Sequence, residues 1–222
     1  MNIWVLIPAY NEAAALARLL QELAEKKLSV VVVDDGSVDA TYQIAIRYAT
    51  VVLRNDVNRG KGLSLKRGIV YLLERKDFDY LVTMDADGQH APRDLDAFFS
   101  RAAAGENFVV GNRMNNHGSM PGIRVITNKC MSWFLSRLAG QKIPDTQCGF
   151  RLISRTILEA IKITTSKFEV ESEILVKAAR KGYAISSVSI ESIYFKGQRS
   201  KIRPIVDTLR FLRFIFLLNH ET

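Results

Sequence analysis

Two aspartates one residue apart, Asp85 and Asp87, close an apolar run that starts at Tyr80, and Gly88, Gln89 and His90 follow them. Along an extended chain residues i and i+2 share one side, so these carboxylates point the same way and repel. A cation between them relieves the conflict, and a hard divalent ion shared with substrate phosphates fits that need. A solvated acidic turn at a strand end is the other reading of the same residues. Further along, Asn58-Arg59-Gly60-Lys61-Gly62 makes a basic, glycine-flanked loop. Lys61 in such a loop either approaches a phosphate or sits in solvent.

The elements that must carry these residues follow from hydrophobic patterning. Ile3–Ile7, Ser29–Val33, Thr50–Leu53 and Tyr80–Met84 are short apolar runs that predict buried parallel strands. Between them, Leu16, Leu19, Leu20 and Leu23 recur at helical spacing, and helices are predicted over Val38–Tyr48, with Ser37 as N-cap, and Leu63–Glu74. A helix starts at Pro92 and Asp94, and Phe108–Val110 is a strand ending in Gly111-Asn112-Arg113. Met114–Gly122 is a Gly-, Asn- and Ser-rich loop suited to a lid. Arg124–Leu138 is helical, with Met131, Trp133, Phe134 and Leu138 assigned to the core. Asp145–Arg151 is a polar turn around Gly149, Ser154–Ile161 and Glu171–Lys181 are helices, and Ala184–Ile190 is a strand.

Strands alternating with helices predict an α/β fold, a mostly parallel central sheet with helices on both faces. Ligands of such sheets bind beyond the carboxyl ends of the strands. Pro8–Glu12, Asp34–Ser37 and Asp85–Gln89 all fall at those ends, so three strands aim polar residues at one edge.

The whole chain has 222 residues, 48% apolar, with a net charge of +8. That balance predicts an anionic partner. Lys196–Arg213 holds six basic residues against Asp207 alone. Drawn as a helix, Arg203, Asp207, Arg210 and Arg213 cover an arc of roughly 120°, and Ile, Val, Leu and Phe fill the rest. A basic, strongly apolar helix too short to span predicts seating at a membrane interface or on a membrane partner protein; docking on the core is the alternative. Because the charge is interleaved with Phe and Leu there, no nucleic-acid partner is expected. Cys130 and Cys148 lack metal-ligand spacing and read as ordinary thiols. Neither a signal peptide nor a transmembrane helix is expected. Residues 1–202 are expected to form one catalytic domain and 203–222 an amphipathic tail.

With these motifs in view, the chain resembles family 2 glycosyltransferases of the GT-A fold, and within them the dolichyl- and polyprenyl-phosphate sugar synthases. The resemblance is carried by Ile7–Glu12, Val33–Thr41, Asn58–Gly62, Asp85–His90, Gly111–Arg113, Asp145–Arg151 and Ser200-Lys201, in the family's order. It implies a UDP- or GDP-linked sugar donor, with Pro8, Tyr10, Glu12, Asp35, Asp85 and Ala86 at the nucleotide. Asp35 would accept from a base N–H, although a helix-start carboxylate is favoured by the helix dipole as well. Asp85, Asp87 and Gln89 would hold Mg²⁺ or Mn²⁺. Arg113 and Arg124 would bind the phosphate of a polyprenyl phosphate, since a planar guanidinium matches phosphate oxygens bidentately; Asn128, one turn after Arg124, would assist. Arg151 and Lys201 are lesser candidates for that phosphate. Asp87, Arg113 and Arg124 are the expected catalytic residues. The reaction implied is an inverting transfer at the cytoplasmic face of a membrane by a peripheral, cytoplasmic enzyme. The competing reading keeps the family but takes a hydroxyl acceptor, with Asp145 as base.

Overall fold

β1 (Ile3–Ala9) is buried along its whole length, as a continuous apolar run between two neighbours requires. The computed structural model describes residues 1–115, 120–167, 169–191 and 193. Among these, β2 (Ser29–Asp34), β3 (Val51–Arg54), β4 (Tyr80–Thr83), β5 (Phe108–Asn112), β6 (Arg151–Ser154) and β7 (Ile185–Ser189) join β1 in one sheet of order β3-β2-β1-β4-β6-β5-β7. All pairings are parallel except those of β6, which runs antiparallel to both β4 and β5.

The helices are α1 (Ala13–Glu25), α2 (Thr41–Tyr48), α3 (Lys61–Arg75), α4 (Leu95–Ala103), α5 (Gly122–Ala139), α6 (Arg155–Ala160) and α7 (Glu169–Arg180). The chain steps outward from β1 to β2 to β3, then returns past β1 to β4. Parallel crossovers are right-handed, so this reversal sends α3 to the face opposite α1 and α2. The α/β expectation with helices on both faces therefore holds. The reversal also makes the β1–β4 boundary a topological switch point, where a ligand crevice opens. Gly68 lets α3 lie close on β1: a Cβ there would meet Leu6 Cδ1 at 2.2 Å.

Three sequence expectations change. Strand β6 was not foreseen, because its four residues, Arg-Leu-Ile-Ser, give no alternation long enough to read. Ser37 does not cap a helix: α2 starts at Thr41, and the Ser37 hydroxyl accepts from the Asn11 N–H at 3.0 Å. Asp39 does the capping work instead, accepting from the Thr41 N–H at 2.9 Å. In α5 the buried positions are Val125, Ser132, Leu135 and Ala139. Trp133 is 62% exposed, and Met131, Phe134 and Leu138 are only half-buried. The packing partner of α5 is α7, and it covers a narrower stripe than the apolar count suggested. Of the loop Met114–Gly122 expected to act as a lid, residues 116–119 lie outside the described residues, as do Lys201 and the expected tail 203–222.

Candidate functional site

β1, β2, β3, β4 and β5 all end at one edge of the sheet. An antiparallel strand begins where its parallel neighbours end, so β6 brings the segment before it, Asp145–Phe150, to that same edge. Thr83 fixes the junction, its hydroxyl donating to the Gly149 carbonyl at 2.7 Å. The motif after β4 thus faces a loop some sixty residues later (the bond spans 66 positions).

The cation beside Asp85 is Lys61. Its Nζ lies 2.5 Å from Asp85 Oδ1 and 3.2 Å from Glu171 Oε2. Only about a quarter of each of the Lys61 and Asp85 side chains is exposed, 25% and 29%. Burial pushes the Lys61 ammonium down, but the charges of Asp85 and Glu171 outweigh it and hold it well above its usual range. Burial likewise pushes Asp85 up, and the Lys61 charge overcomes that and holds its carboxyl low. Gly149 roofs the group: a Cβ there would lie 3.0 Å from Asp85 Oδ2, 3.0 Å from Lys61 Nζ and 3.1 Å from Glu171 Oε1. His90 sits beneath, stacked on Phe150 with centroids 5.1 Å apart. Burial lowers its imidazole to about 4, so it is neutral at pH 7. Its Nδ1 accepts from the Asp85 N–H at 3.1 Å, which leaves the ring proton on Nε2.

Asp87 is pushed in the opposite direction from Asp85. Burial, then the charge of Asp85, raises its carboxyl to about 6. Its Oδ1 accepts from the Gln89 N–H at 3.0 Å, closing a turn through Gly88, whose φ is +74°. Asp87 faces an open cleft of ≈ 450 Å³ shared with Asn11, Glu12, Ala13, Arg18 and Asp39. Among the described residues no three His, Cys, Asp or Glu side chains form a ready-made metal cage. The donor set nevertheless fits a hard divalent ion: two carboxylates and the Gln89 amide supply oxygens, and Asp87 carries a charge conflict that such an ion would relieve. The remaining positions are those that substrate phosphates fill in sites of this kind.

Of the residues expected at the nucleotide, Glu12 lines the cleft and stands just before α1 without a side-chain capping bond, its N–H donating to Thr41 Oγ1 at 2.9 Å. Tyr10 is half-buried at the end of β1. Pro8 is buried within β1, in register with Val33, and Ala86 is buried beside Asp85. Asp35 is committed to the protein. Its Oδ1 accepts from Asn55 Nδ2 at 2.7 Å and the Arg59 N–H at 3.0 Å, and its Oδ2 from the Gly60 N–H at 2.7 Å. These bonds shape the loop that delivers Lys61 as the first residue of α3.

Arg113 follows β5 and forms a fork with Asp145, Nε to Oδ2 at 2.7 Å and Nη2 to Oδ1 at 2.9 Å. Asp145 is fully buried and also accepts from the Arg113 and Gln147 N–H groups. Arg124 and Asn128 are half-buried on α5, one turn apart, and the Asn128 amide lies 3.9 Å from Met120 Sδ. Arg151 belongs elsewhere. It is 2% exposed, and its guanidinium donates to the carbonyls of Cys148, Thr146 and Glu171. That corrects its assignment to an acceptor phosphate: the cation stitches the β6 entrance to α7.

His90 and Gly149 fall inside motifs that the sequence already singles out, Asp85–His90 and Asp145–Arg151, but with no role attached, and Glu171 carries no sequence signal for the site. Glu169, Glu171 and Glu173 stand at alternate positions, and nothing local tells which one turns toward Lys61.

Residues 4–162 match the glycosyl transferase family 2 profile. The chain is 28% identical to the UDP-N-acetylglucosamine–dolichyl-phosphate N-acetylglucosaminyltransferase of Methanococcus voltae, covering 86% of each. It is 28% identical to the polyprenol monophosphomannose synthase of Mycolicibacterium smegmatis, covering 84% of this chain and 75% of that one. Its fold is that of glucosyl-3-phosphoglycerate synthase from Mycobacterium tuberculosis, solved with Mn²⁺ and UDP, with a TM-score of 0.70 at 22% identity over 93% of this chain and 74% of that one.

Proposed function

The chain belongs to glycosyl transferase family 2, and on that premise we propose that it moves a sugar from a nucleoside-diphosphate sugar to a polyprenyl phosphate, with inversion, at a membrane surface. The observation that carries the choice of acceptor is the state of Asp145. A carboxylate offers about four lone-pair sites, and Asp145 takes two hydrogen bonds on each oxygen while fully buried. Fully buried and engaged by Arg113 on both oxygens, it is not presented to an incoming hydroxyl, which weighs against the hydroxyl-acceptor reading. A phosphate monoester needs no base. Its second pKa is near 6, so at neutral pH it is mostly a dianion and a nucleophile as it stands.

What such an acceptor needs is cationic positioning. The fork with Asp145 fixes the plane in which the Arg113 guanidinium would meet a phosphate. Arg124 and Asn128, one turn apart on α5, would add to that positioning. A phosphate oxygen then bonds to the anomeric carbon as the bond to the donor diphosphate breaks on the far side, and the nucleoside diphosphate leaves. Asp85, Asp87 and Gln89 would hold Mg²⁺ or Mn²⁺, which supplies positive charge to the departing diphosphate. The names of the archaeal and mycobacterial relatives support the lipid acceptor, and the related synthase structure with Mn²⁺ and UDP supports the metal and donor class.

The membrane setting has support in α5. Ile123, Ile126 and Trp133 are exposed at 70%, 66% and 62% and lie on one stripe with Cys130. The helix contains Arg124, Lys129 and Arg137 and no acidic residue. An apolar stripe with Lys129 and Arg137 beside it suits an anionic interface. No described helix is long and apolar enough to cross a membrane.

The test is a panel of radiolabelled UDP- and GDP-sugars with Mn²⁺ and a short polyprenyl phosphate, followed by lipid extraction and NMR of the anomeric centre. Labelled lipid of inverted configuration from at least one donor is expected. No labelled lipid from any donor overturns the proposal.

A further inference from the structure

The Lys61 ammonium lies between two carboxylates from distant parts of the chain, 2.5 Å from Asp85 Oδ1 and 3.2 Å from Glu171 Oε2. We propose that Lys61 is a resident counter-ion of Asp85 that an incoming divalent cation displaces, and that Glu171 is the positioning residue that receives it. The inference rests on the metal reading of Asp85 and Asp87 above.

Charge and space both lead there. Asp85, Asp87 and Glu171 against Lys61 leave two formal negative charges, which a divalent cation cancels. Asp85 Oδ1 is already held at 2.5 Å by Lys61, and an ammonium and a divalent ion on one carboxylate repel strongly at such separations. The Lys61 Nζ therefore has to move off Asp85 as the ion arrives. Stranding a buried ammonium without a partner is costly. Glu171 removes that cost, because both its oxygens already stand near Nζ, at 3.3 Å and 3.2 Å. A small shift of the lysine tip exchanges one pair for the other, giving a neutral Lys61–Glu171 pair beside a neutral ion–Asp85–Asp87 group. Gly149 keeps the space for that shift open, since a Cβ there would crowd all three side chains at about 3.0 Å. Without a cation, Lys61 keeps the Asp85 carboxylate from facing Asp87 uncompensated.

The experiment is Mn²⁺ binding to the full-length protein without donor or acceptor, read from the free-ion EPR signal. The proteins are wild type, Glu171→Gln, Lys61→Met, the double variant and Asp87→Asn, each checked by circular dichroism. Glu171→Gln should weaken Mn²⁺ binding about tenfold, because Lys61 then has no second partner. Lys61→Met should tighten binding, and in that background Glu171→Gln should have no further effect. Lys61→Gln serves the same purpose should the methionine variant fail to fold. Unchanged Mn²⁺ affinity in Glu171→Gln, or the same loss with and without Lys61, overturns the proposal. The metal reading fails in a different way: Asp87→Asn would then bind Mn²⁺ as tightly as wild type, or neither wild type nor Lys61→Met would bind it at all, and either result removes the proposal with it.

Discussion

Asp85 and Asp87 are separated by one residue, yet their carboxyls are pushed in opposite directions because their neighbours differ. Lys61 holds the Asp85 carboxyl low, whereas burial and the Asp85 charge lift Asp87 to about 6. Asp87→Ala is expected to abolish transfer, with product below the detection limit of the lipid-extraction assay. Its melting temperature should stay within a few degrees of wild type, because removing a carboxyl in a charge conflict costs the fold little. Arg113→Lys tests the other side. A point charge cannot reproduce the planar fork with Asp145, so kcat/KM for the polyprenyl phosphate should drop about tenfold to a hundredfold, with KM for the donor nearly unchanged. An equal rise in the donor KM would place Arg113 with the nucleotide instead.

At the scale of elements, α7 does two jobs with alternate carboxylates. Glu171 turns to Lys61, while Glu173 is fully buried and clamps the loop before the helix, accepting from the N–H and hydroxyl groups of Thr164 and Thr165 and from Lys177. Burial pushes the Glu173 carboxyl up, but the Lys177 and threonine hydrogen bonds outweigh it and hold it at about 2, below the ordinary 4.5. A carboxyl whose pKa is lowered on folding stabilises the fold above its unfolded pKa and loses that contribution as pH falls toward its folded one. Glu173 is therefore worth roughly 3 kcal/mol at neutral pH, and the gain fades between about pH 4.5 and 2. Glu173→Gln should lower stability at pH 7 in urea unfolding and flatten the loss of stability below pH 4.5. A mutant with an unchanged acid limb would show that the clamp is held by packing alone. Strand β6 is the other element with consequences, since its reversal carries Asp145 and Gly149 to the catalytic edge.

For the whole molecule, the proposed lipid acceptor requires a surface that can meet a membrane. The stripe of Ile123, Ile126 and Trp133 is the exposed face of α5, while Arg124 and Asn128 stand on the opposite, partly buried face of the same helix, so a membrane would meet one face of α5 and the acceptor phosphate the other. Ile126→Glu should weaken binding to anionic vesicles about tenfold in co-sedimentation, with turnover of a short, water-soluble polyprenyl phosphate retained. Trp133 fluorescence should shift to the blue on adding those vesicles to wild type. Vesicle binding unaltered by Ile126→Glu would move the contact to another surface, residues 203–222 included.

Much of this was legible without coordinates. Apolar runs ending in Pro8–Glu12, Asp34–Ser37 and Asp85–Gln89 determined a parallel sheet with polar residues at one edge, because strand-helix alternation and right-handed crossovers leave a chain few other arrangements. Local pattern also placed α1 and α3 to within a few residues. The tertiary structure alone decided the partnerships. Lys61 and Glu171 stand 110 positions apart, and Arg113 and Asp145 stand 32 apart. Which of Arg113 and Arg151 faces the site and which is spent on carbonyls depends on a four-residue antiparallel strand with no readable period. Sequence patterning reports which face of an element is apolar. It does not report which charged side chains meet once the elements are stacked, because those meetings depend on sheet order and on close approaches such as the one over Gly149.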